Sequence, residues 1–475
     1  MSFSETHFDG INIPSVWRKS MISSETSTQT QSIDCVDSEV QHNLLKDTET
    51  QTTNLDDIQR NRPLKTFNKF QNRTKIKANL NKKFGFRALD SIVTKNDFQY
   101  NVSALCWNCN ASVLAIGHQV NHHSDWCTHE SYILLWNLFK ATETEEPSLQ
   151  FDLDGCVSVL VSHPTLPSVY CSGSLNGKIS LWNIRNKENE FLFASVVAHQ
   201  QQVSGIHWCQ PNNTTDLGQI ISCGFDGKVF VWKVHEKSIQ LEKAFALTAQ
   251  DMPRNIQIKG NKSNVEVPIV SMSFNCEDSN IFIIGCIGGP IFQCSLNSNK
   301  PVNNDFSTGI NSKYKNIEYK NPIVMSYAIH RSHINSVQFS PVSRNIFFSC
   351  SSDSELRIYN LLQTVPIIVI HTDVPLLTGQ WSPYSANIAS VGSDGNVYIY
   401  TINYTTISNA SFSFSIGDNV LAKSLVYNTI DNIEQIAVIG SNNSIYVWDL
   451  LLSSEKSDGK HMNDILRRMT DTIDD

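Results

Sequence analysis

The sequence predicts an all-β fold: a seven-bladed β-propeller preceded by a disordered N-terminal arm and a short helix. From about residue 100, a unit of short apolar strands separated by polar turns recurs along the chain. Each unit would expose a hydrophobic face that only its neighbours can cover, so the units should stack radially and close into a ring. Seven units occur, and each has a strand with an equivalent anchor residue: Trp136, Trp182, Trp232, Cys294, Tyr359, Tyr400 and Trp448.

Residues 1–60 form the predicted arm. They are rich in Ser, Thr, Gln, Asp and Glu, and their only aromatic residues are Phe3, Phe8 and Trp17. Such a segment cannot bury enough apolar surface to offset the entropy lost on ordering, so we expect it to be disordered. It carries the word Thr-Gln-Thr twice, as Thr28, Gln29 and Thr30 and again as Thr50, Gln51 and Thr52.

Residues 61–99 are predicted to form a basic helical linker. Residues 60–87 hold ten basic and no acidic residues, whereas residues 1–59 hold ten acidic and three basic ones. Pro63 suits the first position of a helix. The apolar residues that follow fall on two stripes at helical spacing, with Ile76, Leu80 and Phe84 on one and Leu64, Phe67 and Phe70 on the other.

Residues 100–452 are assigned to the propeller. The seven anchors lie 46, 50, 62, 65, 41 and 48 residues apart. These spacings indicate a unit of four strands with two insertions, at 235–267 and 297–330. Residues 453–475 form a C-terminal tail with a predicted amphipathic helix, whose apolar stripe consists of Met462, Ile465, Leu466, Met469 and Ile473.

Two of the units carry side chains that resemble the structural network of WD repeats. His199, Asp226 and Trp232 match the histidine–aspartate–tryptophan pattern of that family within one blade. His330, Asp353 and Tyr359 match it with tyrosine in place of tryptophan. The Gly-His and Trp-Asp dipeptides of the family are mostly missing, so the resemblance depends on seven degenerate blades in order. It implies that these six residues stabilise blades.

One cysteine-rich stretch has the spacing of a metal site. Cys106 and Cys109 are followed by His122 and Cys127, which numerically matches a zinc-binding set. However, the residues between them read as a blade strand, whereas a zinc finger would need a hairpin and a helix. We therefore expect buried thiols and a polar loop here, with no metal and no cofactor.

The sequence does not nominate a catalytic site. It contains no Gly-rich phosphate loop with its lysine and no Gly-x-Ser-x-Gly elbow. The basic linker has interleaved phenylalanines, but no RNA-binding signature accompanies it, so no nucleic-acid partner is predicted. No apolar run approaches the ~18 residues of a membrane span. The N-terminus has no secretory signal pattern, which predicts a cytoplasmic chain with reduced cysteines.

An acidic arm with Thr-Gln-Thr words, followed by a helix and a WD propeller, resembles the dynein intermediate chain family. Further matches are to the shorter intermediate chains of cytoplasmic dynein-2, the motor of retrograde intraflagellar transport. They include "IPSVWRKS" near the start, "HHSDWCTHESYILLWNL" in the first blade, "SHPTLPS" at 162–168 and "FDGKVFVWK" at 225–233. The resemblance covers residue 11 to about residue 450.

This resemblance implies a non-catalytic motor subunit. Its arm would bind dimeric light chains through the two words, and its propeller would bind the tail of the dynein heavy chain. The second, longer intermediate chain would be a further partner, and the location would be cytoplasm and cytoskeleton, including cilium, axoneme and basal body. The linker helix would bind a roadblock-type light chain, through Leu64, Phe67, Ile76, Leu80 and Phe84.

Two alternatives stay open at this level. An axonemal or other dynein intermediate chain has the same architecture, and it would stay fixed in cilia instead of travelling along them. A WD-repeat adaptor of a ubiquitin ligase or an RNA particle would also use a propeller, and the two Thr-Gln-Thr words would then be accidental.

Overall fold

Every regular element that the structure describes is a β-strand. The computed structural model describes residues 79–87, 100–121, 123, 126–137, 147–185, 191–209, 217–249, 266–302, 318–383, 385–402, 410–430 and 433–451. The predicted arm with both Thr-Gln-Thr words, the linker up to residue 78 and the C-terminal helix lie outside these ranges. No helix among the described residues is long and apolar enough to cross a membrane.

The strands form seven sheets that are the blades of a propeller, which confirms the predicted fold class. Blades 1 and 2 consist of β2 (Tyr100–Trp107), β3 (Val113–Val120), β4 (Ser131–Asn137) and β5 (Leu149–Leu153), and of β6 (Val157–Ser162), β7 (Val169–Ser174), β8 (Lys178–Asn183) and β9 (Leu192–Val197). Blade 3 contains β10 (Val203–Cys209), β11 (Gln219–Gly224), β12 (Lys228–His235), β13 (Ser238–Ala246), β17 (Lys300–Pro301) and β18 (Tyr319–Asn321).

The remaining four-stranded blades follow the same order from the first strand outward. Blade 4 contains β14 (Ile269–Phe274), β15 (Ile281–Cys286), β16 (Ile291–Ser295) and β19 (Ile323–Ser326), and blade 5 contains β20 (Ile334–Phe339), β21 (Ile346–Ser351), β22 (Glu355–Asn360) and β23 (Pro366–His371). Blade 6 contains β24 (Leu376–Trp381), β25 (Asn387–Gly392), β26 (Val397–Thr401) and β27 (Phe412–Phe414), and blade 7 contains β28 (Ala422–Ile430), β29 (Ile433–Gly440), β30 (Ser444–Leu451) and β1 (Asn79–Arg87).

The seven blades close into a ring. The first strand of each blade contacts the first strand of the next, and β28 of blade 7 contacts β2 of blade 1. Seven apolar clusters lie between the blades, one at each interface. The second strands β7, β21 and β25 are buried at every position, because the neighbouring blades cover both of their faces.

The first strands also exchange hydrogen bonds between blades. In every blade the pairing of the first two strands contains a bulge near the start of the first strand. Serine follows at this bulge in several blades and donates to the backbone of the next blade: Ser158 Oγ to the Val203 carbonyl at 2.7 Å and Ser336 Oγ to the Gly379 carbonyl at 2.9 Å. The bulges thus connect adjacent blades near the central channel.

Blade 7 takes its outer strand from the other end of the chain. β1 pairs antiparallel with β30, with Leu80 opposite Leu450 and Phe84 opposite Val447. The helical interpretation was therefore wrong for Leu80 and Phe84. Their spacing to Ile76 is a multiple of four, which fits the two-residue period of a strand as well as a helix. The unpaired edge of β30 supplies the backbone partners that local periodicity could not reveal.

The two predicted insertions supply blade strands. The first contains β13, which is the fourth strand of blade 3. The second contains β17, β18 and β19. β19 completes blade 4, whereas β18 pairs in parallel with β13 and extends blade 3 to six strands. The long spacings around Cys294 thus reflect a chain that returns to blade 3 before it finishes blade 4.

Candidate functional site

A hydrogen-bond network occupies the core of blade 3. His199, just before β10, places Nδ1 2.9 Å from Asp226 Oδ1 and Nε2 2.9 Å from Ser222 Oγ. Trp232 on β12 donates its indole N–H to the same Ser222 Oγ at 3.0 Å. All four side chains are buried. The network thus joins the loop before the blade, the β11–β12 turn and the third strand, as the WD-repeat resemblance implies.

Local backbone geometry places Asp226 where the network needs it. Asp226 and Gly227 form the tight turn between β11 and β12, and Gly227 has a φ of 67°. Burial alone would raise the pKa of the Asp226 carboxyl. His199, Lys228 and the backbone N–H of Gln200 outweigh burial and hold that pKa below its usual value. The carboxylate is therefore ionised and fully engaged inside the blade.

Blade 5 repeats this arrangement with one change. His330 places Nδ1 2.9 Å from Asp353 Oδ2 and Nε2 2.7 Å from Ser349 Oγ. The Tyr359 hydroxyl donates to the Ala328 carbonyl at 3.2 Å, so the phenol reaches the loop before the blade. Burial, and then the nearby Arg357, lower the pKa of His330. A neutral imidazole is consistent with its role as a buried connector.

The sequence analysis missed the serines of these networks. Ser222 and Ser349 lie at matching positions of the second strands β11 and β21, and Ser172 of β7 accepts the Trp182 indole N–H at 3.0 Å. A Ser in the small-residue run of the second strand, ten residues before the anchor, was the available signal. It was invisible as chemistry because a buried serine has meaning only once its partners are known.

Trp232→Ala should destabilise the propeller by roughly 3–5 kcal/mol, the usual result of emptying a large buried aromatic site. Trp232→Phe should have a smaller effect, because it keeps most of the packing and loses the N–H bond to Ser222. Urea unfolding of the three chains gives the two differences. An unfolding free energy within ~0.5 kcal/mol of the unsubstituted chain for Trp232→Ala would contradict a structural role.

The cysteines singled out in the sequence do not converge. Cys106 is buried in the cluster between blades 1 and 2, whereas Cys109 is exposed. Cys127 belongs to the cluster between blades 7 and 1. Cys127 has other metal-ligating neighbours among the described residues, but these include neither Cys106 nor Cys109. His122 lies outside the described residues.

An apolar groove lies where blade 4 meets blade 5. It has a volume of about 550 Å³ and is lined by segments 324–329 and 364–365. Three of its lining residues are large, exposed hydrophobic side chains: Val324 at 54%, Ile329 at 40% and Val365 at 60%. Grouped exposed apolar side chains on a folded domain are typical of an interaction surface.

The described histidines in the blade cores have structural surroundings. The side chain of His199 is fully buried, and that of His330 is fully buried as well. His207 on β10 stacks on Phe274 with ring centroids 4.4 Å apart, and burial lowers its pKa to about 4. These arrangements fix rings inside the fold and do not present a nucleophile and base to a substrate.

Comparison with known proteins agrees with this architecture. The family model described as "WD domain, G-beta repeat" matches residues 192–233 and 322–360, which include the blade 3 and blade 5 networks. Cytoplasmic dynein 2 intermediate chain 2 of Mus musculus is 25% identical over 373 residues, covering 77% of this chain and 68% of the relative. The Homo sapiens protein of that name is 25% identical over 358 residues, covering 74% of this chain and 65% of the relative.

Axonemal relatives match over a shorter region. Dynein axonemal intermediate chain 4 of Danio rerio is 24% identical over 276 residues, which is 56% of this chain and 31% of that protein. The chain thus carries WD40 repeats and is homologous to dynein intermediate chains, as the resemblance in sequence implied. Its aligned part spans about two thirds of the cytoplasmic dynein 2 relatives.

Proposed function

We propose that this WD40-repeat homologue of dynein intermediate chains is a non-catalytic subunit of a cytoplasmic dynein-2-type motor. Its propeller would hold the tail of the dynein heavy chain, and its N-terminal arm would hold dimeric light chains. The observation that supports this most is a closed seven-bladed ring in a chain that aligns with cytoplasmic dynein 2 intermediate chains over about three quarters of its length.

The cellular role follows from that proposal. A dynein-2-type motor acts in retrograde intraflagellar transport and cilium assembly, so the chain would lie in the cytoplasm and cytoskeleton and at the cilium, axoneme and basal body. The longer intermediate chain would be its partner in the motor, because dimeric light chains have two equivalent grooves and can clamp one arm from each intermediate chain.

The proposed roadblock site has to be narrower than the sequence indicated. Leu80 and Phe84 lie in β1, whose backbone pairs with β30. We therefore place the site in the segment before β1, with Leu64, Phe67 and Ile76 as its apolar residues. A partner bound there would lie next in the chain to the strand that closes blade 7.

The apolar groove between blades 4 and 5 is our candidate contact for the heavy chain. An amphipathic helix of the heavy-chain tail could insert apolar side chains between Val324 and Val365. Pro366 starts β23 directly after this edge, so the groove borders an outer strand and not the central channel.

A chain starting at residue 61 keeps β1 and should still bind the heavy-chain tail without the arm. Val324→Asp combined with Val365→Asp should weaken this binding by ~10–100-fold, because it places two charges in an apolar contact. Val197→Asp on β9, an exposed site in blade 2, is the matched control and should bind normally. Affinities measured by calorimetry with the purified tail test both statements. If the arm-less chain does not bind, the proposal for the propeller is wrong.

An axonemal intermediate chain is the second candidate, because axonemal relatives also align with this chain. The two functions predict different behaviour in living cilia. Fluorescently labelled chain should move in retrograde tracks if it belongs to the transport motor. Fluorescence that stays fixed along the axoneme, without tracks, would favour the axonemal function.

A further inference from the structure

Four side chains with metal-ligating atoms converge where blade 1 meets blade 2. His123, Cys127 and His129 lie in the β3–β4 connection, and Cys156 directly precedes β6. One ligand atom from each lies within 4.8 Å of those of the other three. His123 Nε2 is 3.3 Å from Cys156 Sγ, and Cys127 Sγ is 4.0 Å from His129 Nδ1.

The arrangement of these groups is compact and three-dimensional. The two imidazole rings are nearly perpendicular, at 87° with centroids 5.0 Å apart, so their nitrogens approach a common centre from different directions. Both cysteines are buried, and both histidines are half-buried at the surface side. The centre is therefore shielded by sulfur from within and covered by imidazole from outside.

Backbone N–H groups point at both sulfur atoms. The Val120 N–H donates to Cys156 Sγ at 3.3 Å, and the Cys156 N–H donates to Cys127 Sγ at 3.3 Å. Such donors stabilise negative charge on sulfur, and hydrogen bonds of this kind orient and support thiolate ligands in metal sites. The chain thus already provides the outer contacts that two metal-bound thiolates need.

The connection that carries three of the four side chains is unusually long for this propeller. It covers residues 121–130, whereas the same connection covers 175–177 in blade 2 and 225–227 in blade 3. In blade 3 the buried pair of His199 and Asp226 ties this turn to the loop before the blade. Among the described residues, such His–Asp pairs occur in blades 3 and 5, so blade 1 needs another means to hold its longer loop.

We propose that His123, Cys127, His129 and Cys156 bind one Zn²⁺ ion in a structural site that joins blade 1 to blade 2. Two thiolates and two imidazoles are a ligand set typical of zinc, and four protein ligands leave no open position for catalysis. Around tetrahedral zinc, neighbouring ligand atoms lie about 3.3–3.8 Å apart. The observed separations of 3.3 to 4.8 Å need movements of at most ~1 Å to reach that geometry.

A second convergent group shows what a network without a metal looks like. His330, Asp353 and Glu355 also lie close together. Here Asp353 accepts from His330 and the Arg331 N–H, and Glu355 forms an ion pair with Arg357 at 2.6 Å. Protein cations and N–H donors already neutralise both carboxylates. In the blade 1 cluster the sulfurs receive only backbone N–H groups and imidazole contacts, which leaves the charge of a dication to be supplied.

The zinc content of the purified, untagged full-length chain tests this proposal. We expect about one zinc per chain by elemental analysis. Replacement by Co²⁺ should give the visible absorption of tetrahedral cobalt and a charge-transfer band from two thiolates. Cys127→Ser and Cys156→Ser should each lose the metal. Cys109→Ser and Cys171→Ser are matched controls, one exposed and one buried thiol elsewhere, and should keep it.

Two further measurements keep the proposal testable if a cysteine variant does not fold. His123→Gln and His129→Gln change half-buried side chains, and each should lower zinc affinity by ~10-fold or more while the chain stays folded. A zinc chelator should lower the melting temperature of the Cys109→Ser chain and leave that of the metal-free Cys156→Ser chain unchanged. A full-length chain without zinc or a tetrahedral cobalt spectrum would overturn the site. So would zinc that remains bound in both histidine variants with unchanged affinity.

Discussion

A chain that ends at residue 410, and so lacks blade 7, should not form a folded monomeric domain. Blade 7 covers apolar side chains on both of its neighbours, including Val391, Val397 and Ile399 of blade 6 and Leu114, Ile116 and Leu134 of blade 1. Exposing six such side chains would cost roughly 9–18 kcal/mol at about 1.5–3 kcal/mol each. That loss equals or exceeds the ~5–15 kcal/mol by which a typical domain is stable.

The matched control is a chain of residues 76–451, which keeps all seven blades and β1. It should elute as a monomer and melt cooperatively, whereas the chain ending at residue 410 should aggregate or lack a thermal transition. Size-exclusion chromatography and circular dichroism distinguish these outcomes. A soluble, monomeric and cooperatively melting chain without blade 7 would show that the ring does not depend on closure.

Removal of β1 alone provides a finer test of the same closure. A chain that begins at residue 95 keeps blades 1–6 and three strands of blade 7. Its β30 becomes an unpaired edge, which should lower the melting temperature and promote association through that edge. If residues 79–87 were instead a helix that only binds a partner, their removal would leave the stability of the propeller unchanged.

Replacing both Thr-Gln-Thr words by alanines should remove binding of the small dimeric dynein light chain, the second large effect that we expect. In an extended strand, Thr28 and Thr30 face one way and Gln29 the other. Such a segment can add to the edge of a partner sheet, where main-chain hydrogen bonds give affinity and pockets for alternate side chains give selection. A disordered arm suits this mode because its main-chain groups are not already paired.

Two words should act together. The ~20 residues between them span roughly 25 Å as a flexible coil, which is enough to separate two small dimers. Linked sites can exceed a single site by ~10²–10⁴ in apparent affinity. A peptide of residues 20–58 should therefore bind two light-chain dimers when two arms are present, and each triple replacement, at 28–30 or at 50–52, should remove one site.

Calorimetry with the purified light chain measures both the number of sites and the affinity. Replacement of Gln41, His42 and Asn43, which lie between the words, by alanines is the matched control and should change neither. If the double replacement binds as tightly as the unaltered peptide, the words are ordinary vocabulary of a Ser/Thr/Gln-rich tail. The proposal for the arm would then fail, while that for the propeller would still depend on heavy-chain binding.

Local sequence patterns were sufficient for much of this fold. Seven anchors at regular spacing predicted seven blades, because a repeated unit with one uncovered face can be stable only beside copies of itself. His199, Asp226 and Trp232 were identifiable for a similar reason, since each blade places them within one turn and three strands. Those relations span about 30 residues, and a period in the sequence can encode them.

Tertiary structure decided the contacts between distant parts of the chain. β1 pairs with a strand more than 350 residues away, β18 returns to blade 3 after part of blade 4 has formed, and Cys156 meets three residues of the preceding blade. No local period marks such partners, because an even spacing fits strand and helix alike and a cysteine before a strand resembles any other. Which edge is left unpaired, and which loops meet above it, is fixed only when the ring closes.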